Sequence, residues 1–309
     1  MSRVVLTKAA SFTQNAINEA VSRALDTLNY DLNDKIDSVV IKPNLCYYWD
    51  YSTGETTDPK VVSAVIDWVR QRLGKDVFIL VAEADASAMR TKYAFKMLGY
   101  KKLTQEKNVE LINLSVGEIV RRNTVVAGKQ IVLPVNRILL DADLIINVPK
   151  MKYHRTVGFT CALKNMFGAI AKSRKYVYHT RLPQVIVGIN KIISTDVVLV
   201  DGMIAAGKTP KKMGVIMAGD DALATDLVVA EAIGYKPSRI PYLKLAIKEK
   251  IGKTDSINLI ANPNTLKDVK KEFPAPNYLL QKLLWKMELK LIRAYAKLVG
   301  DVIPPILEE

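Results

Sequence analysis

Short runs of strand-forming residues that end in a charged or turn-forming residue constrain this chain more than any other feature. The runs are SVVIKP (38–43), DVFILVAE (76–83), DLIINVP (143–149) and VVLVDG (197–202). Each is apolar on both parities over most of its length, which suits a strand buried on both faces and so favours a parallel sheet. Between them lie helical spacings. Ser11 to Leu28 carries Ile17, Val21, Ala24, Leu25 and Leu28 on one stripe, with Ser11 or Thr13 as cap. Thr56-Thr57-Asp58-Pro59 opens a second helix by a capping residue followed by proline. Further helices are predicted over 89–98, 186–193 and 222–233, and a hairpin over 118–137 with its turn at Ala127-Gly128. The alternation predicts an α/β protein, a mostly parallel sheet with helices on both faces, plus a C-terminal helical appendage. A boundary near 235 divides an α/β core domain, 1–235, from a C-terminal extension, 236–309.

The strand ends carry the chemistry, because clefts in open α/β sheets lie at the C-terminal edge. Lys42 and Asn44 follow the first run, Glu83 and Asp85 close the second, Lys150, Lys152 and His154 follow the third, and Asp201 ends the fourth. The 309-residue chain has only two histidines, His154 and His179, and both fall in one window with Lys164, Asn165 and Gly168 between them. Residues 158–171 are small, apolar and uncharged apart from Lys164, so a largely buried helix is predicted there, carrying one lysine into a packed environment. Desolvation lowers the pKa of such an amine toward values useful for proton transfer or covalent chemistry. The expected roles are Lys42, Lys150 and Lys152 as anion ligands, His154 as general acid or base, Lys164 as a desolvated amine, and His179 as a second acid or base or a metal ligand. Asn44, Asn165 and Asp201 complete the expected substrate contacts. The GKT at 207–209 is no phosphate-binding loop, since Pro210 follows and the earlier glycine of that motif is missing.

A net charge of +14 implies attraction to anions. Three classes use it: an enzyme for an anionic small molecule, a nucleic-acid binder, and a protein peripheral to an anionic membrane. Nucleic-acid binding calls for aromatics interleaved with the basic residues, whereas here they cluster in CYYWDY (46–51). With only two cysteines, Cys46 and Cys161, the chain can build neither a disulfide framework nor a cysteine-only zinc or iron–sulfur site, and a cytoplasmic setting is expected. No run of 18 apolar residues occurs, which excludes a membrane-spanning helix. From Tyr278 to Val299, Lys282, Lys286, Lys290, Arg293 and Lys297 form one basic stripe beside Leu283, Leu284, Trp285, Met287 and Leu291. That pattern suits a helix docked on its own domain or on a second copy in a homo-oligomer, or one lying on lipid.

The strings IKPNL (41–45), DPKVVSAVIDWV (58–69), INVPKMKYH (146–154), ALKNMFG (162–168) and DGM (201–203), with His179, resemble the motif series of the family known as domain of unknown function 362. The resemblance covers most of residues 1–235 and implies an α/β fold with an enzyme-like site, though without the ferredoxin-type cysteine cluster that members often carry. More distantly, His154, Gly158-Phe159, Lys164, Gly168 and His179 resemble the nickel-pincer lactate racemases. That likeness implies His154 as acid or base, Lys164 as the tether of a cofactor and His179 as a nickel ligand, with racemase-like or redox chemistry. The upstream histidine that serves those enzymes as second acid or base has no counterpart in this chain.

Overall fold

The computed structural model describes residues 1–275 except 33–34 and 155–156, together with Leu284, Met287, Glu288, Lys290, Leu291 and Ala294 of a C-terminal helix. Its strands are β1 (Ser2–Lys8), β2 (Ser38–Pro43), β3 (Phe78–Glu83), β4 (Glu110–Asn113), β5 (Ile119–Val126), β6 (Lys129–Asn136), β7 (Leu144–Val148), β8 (Lys150–His154), β9 (Gly158–Thr160), β10 (Val197–Ala206), β11 (Pro210–Gly219) and β12 (Ile257–Ile260). The main sheet runs β12-β1-β11-β10-β7-β2-β3-β4, with β8 continuing beside β10 and β9 folded back on β8. From β10 through β4 every neighbour is parallel, as the apolar runs predict. The exceptions are β11, antiparallel to both β10 and β1, and β9, antiparallel to β8.

Side-chain parity divides the core between the two faces of the sheet. Val39, Ile41, Ile79, Val81, Leu144 and Ile146 pack under the helices Gln14–Leu28 and Pro59–Leu73. The alternate residues Val40, Leu80, Ile145 and Val200 pack against Leu163, Met166, Ile186 and Val229 on the other face. Thr13 caps the first of these helices and Asp58 the second, with Pro59 in its first turn.

Several local expectations change. The helix predicted over 158–171 is instead β9, a single helical turn Ala162–Asn165 and a 3-10 turn Met166–Ala169. Gly158 at φ 84° turns the chain, and Phe159 and Thr160 then pair with β8, so their apolar run is spent on a ladder. The GKT at 207–209 falls at the tight end of the β10–β11 hairpin. Beyond 235, β12 returns to pair with β1 at the edge of the same sheet. The hairpin over 118–137 forms as β5 and β6. Of the C-terminal helix, Leu284, Met287 and Leu291 are exposed. Apart from these three and Glu288, Lys290 and Ala294, the expected span, 278–299, lies outside the described residues.

Candidate functional site

The C-terminal ends of β2 and β3, the start of β8 and the middle of β10 meet in a layer of charges beneath a cavity. Lys42, wholly buried, places its Nζ 2.9 Å from Glu83 Oε2, and Lys150 lies 3.0 Å from Asp201 Oδ2 across the β8–β10 register. Both carboxylates are also held by backbone. Glu83 accepts the N–H groups of Leu45 and Ala84, and Asp201 those of Asp58 and Met203. Such pairs are tolerable in a core only when the remaining lone pairs are satisfied in this way. Beside Asp201, burial foremost and then the neighbouring carboxylate push Asp58 up to about 6.

Above this layer opens a cavity of about 200 Å³, the size for a small metabolite rather than a polymer. Its wall includes His154, Lys164 and His179, together with Asn44, Lys150, Lys152 and Asn165. Lys42 and Asp201 are not part of that wall, their charged atoms being committed to Glu83 and Lys150, which do line it. Asn165 is also largely committed. Its Nδ2 donates to Asn147 Oδ1 at 2.7 Å and to the carbonyls of Lys42 and Pro43, which pins the Ala162–Asn165 turn to β2 and β7. Lys152 bonds Glu55 through both its carboxylate, at 3.0 Å, and its carbonyl, at 2.8 Å, tying the aromatic loop to β8. Burial works against the Lys152 ammonium, but Cys46 and Glu55 outweigh it and raise its pKa. Tyr47, at φ 54°, brings that loop to the cavity mouth, where its ring lies 5.2 Å from Trp49.

Lys164 differs from these lysines. Its Nζ sits 4.4 Å from the centre of the Phe167 ring, and His179 packs edge-on against the same ring. Burial first, then the positive charges of Lys152, Lys175 and Lys42, lower its pKa to about 7. Two residues that sequence reasoning passed over complete the arrangement. Lys175 is buried, faces the cavity and donates to the carbonyls of Asp85 and Gly168 at 2.7 and 3.0 Å. Its pKa falls to about 8, chiefly through burial. Nothing in the run KSRK distinguishes it from Lys172 or Arg174, both exposed or solvent-facing. The second is Asp226, wholly buried, which accepts the N–H groups of Ala162 and Leu163 at 2.6 and 3.1 Å and so caps the turn that carries Lys164. Burial raises it to about 7. An acid inside the apolar helix Ala222–Ala232 was its only sequence signal.

Gly168 matters for a steric reason. A Cβ there would fall 2.7 Å from both Glu83 Oε1 and Lys42 Nζ, so any larger residue would have to displace this buried pair. Among the described residues no group of three or more His, Cys, Asp or Glu side chains converges as a metal site, and no step is derived through nickel.

The fold and site thus define an α/β protein with a lysine-lined cavity at the C-terminal edge of a largely parallel sheet. The profile of the family described as Domain of unknown function (DUF362) matches residues 39–231, more than half of the chain, and the chain belongs to that family. It is similar to the thylakoid-associated protein sll1697 of Synechocystis sp., with 28% identity over 229 residues, covering 70% of this chain and 68% of that protein. Among solved structures it is similar to the lactate racemase apoprotein from Thermoanaerobacterium thermosaccharolyticum, at 14% identity and a TM-score of 0.43. That match covers 72% of this chain and spans 57% of the racemase chain.

Proposed function

We propose that the cavity is an acid–base site for a small anionic molecule, with Lys164 as the proton-transfer group. The observation that carries this reading is an amine at a cavity wall whose pKa is about 7, so that both of its protonation states are populated at neutral pH. His154 or His179 removes a proton from a substrate carbon activated by an adjacent carbonyl group, and Lys164, charged in the complex, returns one as an ammonium. Lys152 and Lys175 attract the anion, and His154 and His179 supply further proton donors and acceptors from the same wall. This supports proton transfer or isomerisation, the chemistry of a racemase or epimerase, over a purely structural role for the lysine cluster.

Competitive acetylation with trace acetic anhydride, followed by peptide mass mapping, tests the reading. Lys164 is expected to label at pH 7 at least about tenfold faster than surface lysines, which are almost wholly protonated there. Its labelling should have a midpoint near 7 and be suppressed by added inorganic phosphate. A labelling rate no higher than that of the surface lysines would overturn it.

A second property, association with an anionic membrane surface through the C-terminal helix, is supported by exposed Leu284, Met287 and Leu291 on one helical face beside Lys290. The name of the thylakoid-associated relative points the same way. Cosedimentation with vesicles containing phosphatidylglycerol should be lost on deletion of residues 277–309, and an intact protein that stays in the supernatant removes this reading. No helix among the described residues is long and apolar enough to cross a membrane.

A further inference from the structure

A count of charge around the cavity narrows the substrate class. Lys42, Lys150 and Lys152 each have a carboxylate partner within 3.0 Å, so these three pairs add no net charge. Glu83 reaches the wall, but its Oε2 is held by Lys42 and its Oε1 by the Ala84 N–H. The Asp85 carboxylate is turned to the Thr91 N–H and the Asn113 amide. Lys164 rests on an aromatic face and Lys175 on two carbonyls, so neither amine bonds a carboxylate, although Glu83 and Asp85 favour the Lys175 ammonium through space. Their positions converge. Lys164 covers the Phe167 ring while Lys175 bonds the carbonyl of Gly168, the next residue, so the two amines flank one turn.

We propose that the site takes a compact dianionic head group, of the phosphate-ester kind, seated between the ammonium groups of Lys164 and Lys175. This rests on the anion-site reading above and names its substrate class. In a poorly solvated cavity the charge of Lys175 lowers the tendency of Lys164 to hold a proton, and that of Lys42 does the same to Lys175. A dianion relieves both at once, whereas a monoanion relieves one. Because Lys164 lies at about 7 and Lys175 at about 8, the dianion draws protons onto them as it binds.

Sulfate and methanesulfonate separate the two charge states, since they share a tetrahedral sulfur and differ by one charge, and neither titrates near neutrality. Calorimetry at pH 7.5 and constant ionic strength, repeated in Tris and bis-Tris, reads both affinity and proton uptake. Sulfate is expected to bind at least about tenfold more tightly, with uptake of about one proton, as the two amines are together about one proton short at that pH. Lys175→Met should reduce the preference to under about threefold, and Lys175→Arg, which keeps the charge and the donors, should retain most of it. Equal affinity for the two anions overturns the dianion assignment while leaving an anion site in place. Sulfate binding without proton uptake also overturns it. If neither anion binds, the assignment falls, and the acetylation of Lys164 decides separately whether the acid–base site stands.

Discussion

Lys42 and Lys164 stand at the same edge of the sheet, yet they are built to opposite purposes. Lys42, like Lys150, is buried against a carboxylate that is itself bonded to backbone N–H groups, so its charge is a fixed part of the core. Lys164 is brought to the cavity on a capped turn and meets an aromatic ring instead of an acid. Lys175 stands between these cases, held by carbonyls that orient the amine without neutralising it. The difference teaches that burial alone does not prepare a lysine for chemistry. A buried amine with an acid serves as structure, and one denied an acid becomes a titrating group near neutral pH.

The comparison can be broken most forcefully at Glu83. Glu83→Ala leaves Lys42 buried without a counter-ion, and it should destabilise the protein by about 3–5 kcal/mol in urea unfolding. The double change Lys42→Met with Glu83→Leu removes both charges and should recover most of that loss. A double variant as unstable as the single one would show that backbone bonds to Glu83, rather than the ion pair, dominate.

A smaller effect of opposite sign is expected at Lys164. Its folded pKa of about 7 lies below that of an ordinary lysine, so the unfolded chain binds more protons between about 7 and 10.5 and stability rises with pH across that window. The penalty is absent above the unfolded value and complete below the folded one. Lys164→Met should therefore be more stable than the natural protein at pH 7, by about 1–3 kcal/mol, with the difference shrinking toward pH 10. Paired urea titrations at pH 7 and 9.5 measure it, and a pH-independent difference would place Lys164 with the paired lysines.

Much of the fold is legible without coordinates. The runs SVVIKP, DVFILVAE, DLIINVP and VVLVDG are strands of one sheet, and Asp58-Pro59 opens a helix, because unbroken apolar runs and capping residues act locally. The collection of His154, Lys164, Lys152 and Lys150 at one edge also follows, since parallel strands in such a sheet end on the same side. Residues 158–171 were misread because an apolar stretch interrupted by glycine satisfies a buried helix and a buried ladder equally well, and pairing with β8 decides between them.

The amino-acid sequence by itself determined which residues were available at the sheet edge and that a lone lysine would enter an apolar segment. Only the tertiary structure decided which lysine found an acid. The order β7-β2-β3 puts Lys42 beside Glu83, the β8–β10 register puts Lys150 beside Asp201, and the helix Ala222–Ala232 supplies Asp226 to hold the turn of Lys164. Charge partners lie a few ångströms apart in space but tens of residues apart in the chain. Strand order and register set those distances, and with them the division between fixed and titrating charge.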